Sequence, residues 1–206
     1  MMKRALCLAA LLTAFPAILL AQKAKPVPPG SPDEWLRLAE EKRAAGDVDG
    51  ALELLRKAAA VPAAAGEASL RMGRLLEAKN DLDTALDAYR QAGGALSGPG
   101  RGEALARLAL VQEVRGLSEA KASAQAAAEA DPAGPWPAIA LARARAREGK
   151  GDEALALAQK ARTGGGAAAA AAEGRAQEAR GDLAAAEAAE RQALQAEPAN
   201  LLAQID

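Results

Sequence analysis

Five small turn residues recur along this chain at nearly constant spacing. They are Gly46, Asn80, Gly116, Gly149 and Gly181, separated by steps of 34, 36, 33 and 32 residues. An alanine follows each of them (Ala51, Ala85, Ala120, Ala154 and Ala186), at steps of 34, 35, 34 and 32 residues. Each interval reads as a helix-like run, a turn and a second helix-like run. A period in this range marks stacked supersecondary units that bury their apolar faces on one another, a solenoid rather than a globule. Solenoids present extended surfaces for partners.

The composition agrees with helices. Half of the residues are in the hydrophobic class, yet only 2% are aromatic, and alanine dominates the apolar fraction. Alanine is the best helix former and loses almost no side-chain entropy on folding. Residues with β-branched side chains are few, which argues against sheet. The chain is therefore expected to be all-α.

Composition also narrows the chemistry. There is no histidine, so the usual general base and the commonest metal ligand are missing. The single cysteine, Cys7, lies inside an apolar leader, so the remainder can build no disulfide framework, zinc cluster or thiol nucleophile. Neither a phosphate-binding glycine loop nor a zinc-protease signature occurs. Carboxylates such as Glu40 and Glu77 sit at helix-surface spacing, where glutamate solvates. No catalytic residue, cofactor or metal is expected. A net charge of -1 gives no basic footprint for nucleic acid.

Lys3 and Arg4 precede an apolar run from Ala5 to Ala21, after which Gln22-Lys23-Ala24-Lys25 is abruptly polar. This is the layout of a secretory signal peptide over residues 1–21, with cleavage after Ala21. The alternative is an uncleaved inner-membrane anchor, because 17 apolar residues just reach the shortest spanning length. Pro16 would break a long membrane helix. Residues 22–32 read as a Pro-rich extended spacer. An exported, thiol-free chain suits the periplasm or the extracellular space.

Within the first unit, Trp35, Leu38 and Ala39 share one helical face, Gly46-Asp47 ends that helix, and Ala51, Leu55 and Ala58 form a second stripe before Pro62 closes the unit. The second unit carries Gly73, Ala85, Tyr89 and Ala92 at matching places. This arrangement resembles the tetratricopeptide repeat, a 34-residue helix-turn-helix with W-x2-L-G-x2-Y, A-x3-F and a closing proline. The resemblance implies a right-handed α-solenoid of about five repeats, over residues 33–65, 66–99, 102–134, 135–166 and 167–199. A short C-terminal cap with Leu201, Leu202 and Ile205 would follow. The small residues at 39, 73, 109, 142 and 174 read as close-packing positions between the paired helices. The residue after A-x3 runs Leu55, Tyr89, Ala124, Ala158, Glu190, so large core side chains disappear after the second unit. Gly93-Gly94 through Gly98-Pro99-Gly100, and Gly164-Gly165-Gly166, read as flexible joints.

In this family the first helix of each repeat lines a groove. Carried over by position, the resemblance assigns to that groove Leu70, Arg74, Leu110, Val114, Trp136, Ile139, Arg143, Arg147 and Arg175. An apolar centre beside arginines suits a peptide or helix with apolar anchors and some acidic residues, since tryptophan and arginine are enriched at binding hot spots. Two structural alternatives stand beside this. Trp136 lies at a helix start and can pack against a neighbouring core, and the arginines can form a solvated face paired with glutamates. The lysine and asparagine with which some chaperone-binding members clamp a terminal carboxylate are replaced by Leu36 and Glu40, so that activity is not implied. The resemblance implies a non-catalytic scaffold with a protein or peptide partner. Its alternatives are self-association, or an accessory role in a secretion, pilus or cell-wall complex.

Overall fold

The computed structural model describes residues 30–198. The expected leader, most of the spacer and the expected C-terminal cap lie outside the described residues. Among the described residues the chain is all-α, with α1 (Pro32–Ala44), α2 (Val48–Ala59), α3 (Pro62–Ala78), α4 (Leu82–Ala95), α5 (Gly98–Val114), α6 (Ala120–Ala130), α7 (Pro135–Arg147), α8 (Gly151–Arg180) and α9 (Leu183–Ala196). Each helix packs on its neighbours in sequence. α8 is two helices joined across non-helical backbone at Thr163, Gly164 and Gly166. The described residues thus form a stack of five helix pairs, the last two sharing α8.

The five periodic turns are one structure repeated. Gly46, Asn80, Gly116, Gly149 and Gly181 all adopt left-handed backbone, with φ of 80°, 59°, 67°, 74° and 80°. That conformation is costly for most side chains but open to glycine and tolerated by asparagine. It lets the next N–H fold back onto the helix it has just left. Asp47 N donates to Lys42 O at 2.9 Å, Asp81 N to Leu76 O at 2.9 Å and Leu117 N to Gln112 O at 2.8 Å. Lys150 N to Arg145 O and Asp182 N to Gln177 O repeat the bond at 3.0 Å. This is the Schellman closure, which satisfies carbonyls that a helix end would leave open. Asp47, Asp81 and Asp182 then cap the following helix by accepting from the backbone N–H of Gly50, Thr84 and Ala185. Leu117 and Lys150 occupy the same place at the third and fourth turns, and no side chain caps α6 or α8.

Two joints differ from expectation. α4 continues through Gly93 and Gly94, and α5 begins at Gly98, so the first joint shrinks to Leu96 and Ser97. The reason is packing: a Cβ on Gly93 would lie 2.8 Å from Leu105 Cδ2, so glycine lets α4 approach α5 closely there without the half-buried leucine turning aside. Pro62 opens α3 rather than closing α2, in the first helical turn where its missing N–H costs nothing.

The core changes character along the stack. Around α1–α5 it contains Leu52, Leu55, Leu70, Leu76, Leu86, Tyr89 and Leu108. Around α5–α9 it is almost wholly alanine, with Leu110 and Ile139 as the large buried members. Ala124 and Ala158 are buried where the earlier repeats place Leu55 and Tyr89. A buried leucine contributes about 2 kcal/mol more than an exposed one, and alanine much less. The amides of α2–α5 are therefore expected to exchange slowest with solvent, and those of α9 fastest among the helices. Hydrogen exchange read by mass spectrometry checks this, and slowest exchange in α8 and α9 would contradict it.

Candidate functional site

The first helices α1, α3, α5 and α7 and residues 167–180 of α8 carry the expected groove positions. Ion pairs and hydrogen bonds cross between adjacent members. Arg71 Nη1 donates to Leu36 O at 3.3 Å. Arg74 spans from α3 to Glu103 on α5, at 3.0 and 2.5 Å. Arg107 reaches back from α5 to Glu77 at 3.1 Å, and Arg143 from α7 to Glu113 at 3.0 Å. The paired residues are 29, 30 and 30 positions apart. That separation is one repeat less about one helical turn, so the pairing is the familiar same-face pattern displaced onto the adjacent helix. Within α5, Glu103 also holds Arg107 at 2.8 Å.

The densest part of this ladder lies under the second, third and fourth repeats. Tyr89 is fully buried, and its hydroxyl donates to Glu77 at 2.5 Å. Burial, reinforced by the Glu77 charge, pushes the phenol well above its ordinary value, so it remains a donor. The Arg107 guanidinium lies 3.7 Å from the centre of the Trp136 ring, stacked on its face. Burial raises the Glu103 carboxyl, but hydrogen bonds from Arg74 and Arg107 outweigh this and hold it below the ordinary range.

The nine groove positions separate into three groups. Leu70, Leu110 and Ile139 are buried, Ile139 completely, so these side chains build the core between helices and offer no open surface. Arg74 and Trp136 belong to the ladder, Arg74 on Glu103 and Trp136 half-buried on Arg107. Val114, Arg143, Arg147 and Arg175 converge on one cleft of about 400 Å³ between α5, α7 and α8. Arg143 is only 1% exposed, at its floor, held by Glu113. Arg175 pairs with Glu178 at 2.9 Å.

Glu113 and Glu178 complete this cleft and were not read from the sequence; the signal was an acid 30 positions before, or three after, a groove arginine. A smaller cavity of about 250 Å³ adjoins it and shares Glu113 and Arg147. There Glu148 is held by Lys121 at 2.6 Å, Arg145 at 2.9 Å and Lys150 at 3.2 Å, which pull its carboxyl down to about 2. A further cleft of about 640 Å³ opens between α1, α2 and α3, with Val48, Leu55 and Leu75 beneath a rim of Glu40, Arg43 and Arg71. Among the described residues no cluster of acidic or cysteine side chains could hold a metal ion. No helix of the described residues is long and apolar enough to cross a membrane.

No family model matches the chain, and no curated protein matches it. Solved structures do. The chain is similar to YrrB, described as a TPR protein with an unusual peptide-binding site, at 20% identity over 85% of this chain and 91% of that one, with a TM-score of 0.54. It is similar to pilF of Pseudomonas aeruginosa at 21% identity over 85% of this chain and 81% of that one, with a TM-score of 0.61. A thermophilic TPR protein of Thermus thermophilus matches at 20% identity over 85% of this chain and 96% of that one, with a TM-score of 0.59. The repeated left-handed turns, the small residues between paired helices and these likenesses agree: the chain has the tetratricopeptide-repeat fold.

Proposed function

We propose that this chain is a non-catalytic interaction scaffold of the bacterial periplasm or cell envelope, holding a partner protein by a peptide or helix laid along its first helices. The observation that carries this is the convergence of Val114, Arg143, Arg147 and Arg175 on one open cleft between three of those helices. A half-apolar cleft with a few fixed charges is what a recognition surface requires. YrrB, which shares the fold, is described by its peptide-binding site. The charged leader and apolar run at residues 3–21 support export.

Site-specific photo-crosslinking in the native host tests the proposal. A crosslinker at position 147 should capture a defined envelope protein, while one at the exposed Gln125 on α6 should not. Recovery of the same proteins from both positions, or of none, would overturn it. A second reading, self-association, is favoured by the exposed Leu183 and Leu194 on α9. It predicts concentration-dependent mass in light scattering and self-crosslinks near position 183. Sequencing the N-terminus of the exported chain tests cleavage after Ala21.

A further inference from the structure

The last repeat is joined to the stack differently from the repeats before it. Between the second and third repeats the joint is Leu96-Ser97, and Leu96 is seated over Gly66, where a Cβ would meet its Cδ2 at 2.7 Å. At the third joint Asp131 is seated over Gly102, where a Cβ would lie 2.5 Å from that of Asp131. A side chain thus keys each of these joints to the first helix of its own repeat. At the fourth joint, residues 163–166, the fit is reversed. Bare backbone at Gly165 lies against Ile139, whose Cδ1 a Cβ would meet at 2.9 Å, and Thr163, Gly164 and Gly166 are exposed. Gly164 has φ 104°, and Gly166 has φ 53° with ψ -138°. Nothing stands within 4 Å of a Cβ on Gly166, so glycine serves the backbone there and not the space around it.

This joint lies at one end of the α7–α8 contact and the cleft at the other. A Cβ on Gly164 would lie 3.3 Å from Cγ of Pro135, at the start of α7. The cleft is walled by Arg143 and Arg147 near the end of α7 and by Arg175, Glu178 and Ala179 beyond the joint. Ala179 stands about 20 Å along its helix from Gly166, so a rotation of roughly 10° there moves it by about 3–4 Å. Ala167, Ala168, Ala171 and Ala172, beyond the joint, are buried in the cluster whose large members are Leu110 and Ile139, and parting alanine surfaces exposes little apolar area. At the far end the two arms of α8 meet. A Cβ on Gly151 would lie 2.9 Å from the backbone N of Arg180 and 3.1 Å from the carbonyl O of Ala176, and Arg180 pairs with Asp152 at 2.7 Å on the surface. We propose that residues 163–166 are a hinge on which the last repeat swings, opening and closing the cleft, with Gly151 and the Arg180–Asp152 pair as its catch. Its use in closing over a bound segment rests on the scaffold reading above.

The test measures distances between paired nitroxide labels in the free full chain carrying Cys7→Ser. Arg90, Gln125, Gln159 and Arg191 are exposed and hold equivalent places, each five after the repeated alanine. Labels on cysteines at 125 and 191 span the third and fourth joints, and labels at 90 and 159 span the second and third. Double electron-electron resonance should give one narrow distribution for the 90/159 pair. The 125/191 pair should give two populations displaced by several ångströms. Gly151→Ala wedges the catch apart and Asp152→Asn removes its ion pair, so each should shift weight to the open population at unchanged helicity. Where Gly151→Ala lowers the helicity read by circular dichroism, Asp152→Asn alone decides, because its side chain lies on the surface. Equal widths for the two label pairs would overturn the hinge, as would a 125/191 distribution that the deciding variants leave unmoved. A failed hinge leaves the scaffold reading to its own crosslinks, and failed crosslinks leave a measured hinge standing.

Discussion

Replacing Gly73 by leucine should destabilise the protein by about 3 kcal/mol or more, at the upper end of the cost of overpacking a core. A Cβ at this position would stand 2.4 Å from Cε1 of Tyr89 and 2.6 Å from its Cδ1. The ring has nowhere to retreat, because it is fully buried and its hydroxyl is tied to Glu77 at 2.5 Å. Even Gly73→Ala should lose stability, although alanine in a helix is favoured over glycine by about 1 kcal/mol. Urea denaturation of both variants reads the loss. The double variant Gly73→Ala/Tyr89→Leu supplies the control, since shortening residue 89 gives the new methyl room. Its cost should fall below the sum of the two single changes, as expected for residues in contact. Wild-type stability in Gly73→Leu would show that α3 and α4 do not approach as closely as described.

The period, the turns and the paired helices were legible because each depends on local chemistry. A left-handed residue selects glycine or asparagine, and a close helix approach selects glycine or alanine, wherever the neighbours lie. Gly73 and Gly93 show the limit of that rule. Both satisfy a packing demand within helices, yet Gly93 sits in a glycine-rich stretch that reads as a joint. The groove was less legible because it depends on how far each helix is rotated toward the next. Leu70, Leu110 and Ile139 hold positions that the resemblance to tetratricopeptide repeats turns to the groove, and here they are buried in the core. Repeats three and four have only Ala124 and Ala158 where Leu55 and Tyr89 stand earlier, so Leu110 and Ile139 are drawn inward there, while Leu70 joins the leucine core around Tyr89. The partners of the arginines were invisible for another reason. A glutamate 30 positions away is adjacent only once the stack has formed.

Arg107→Ala should cost about 3–5 kcal/mol, the loss expected when one member of a largely buried ion pair is removed and its partners stay behind. Glu77 and Glu103 would be left with less compensation on half-buried positions, and the Trp136 ring would lose the guanidinium stacked 3.7 Å from its centre. Three repeats meet at this one side chain: α3 through Glu77, α5 through Glu103, and α7 through Trp136. The change should therefore loosen the spacing between helices and not merely their pairing, and Trp136 fluorescence should shift alongside the fall in stability. The charge effect separates from lost packing through pH. The Glu103 carboxyl lies below its ordinary value in the folded chain, so its contribution is present above the ordinary glutamate range. That contribution is lost as pH falls through the lowered value. Wild type should accordingly lose stability from neutral pH into the acid range, and Arg107→Leu, which keeps bulk at the site without the charge, should lose less over the same interval. Parallel pH profiles for the two proteins would assign the role of Arg107 to packing alone.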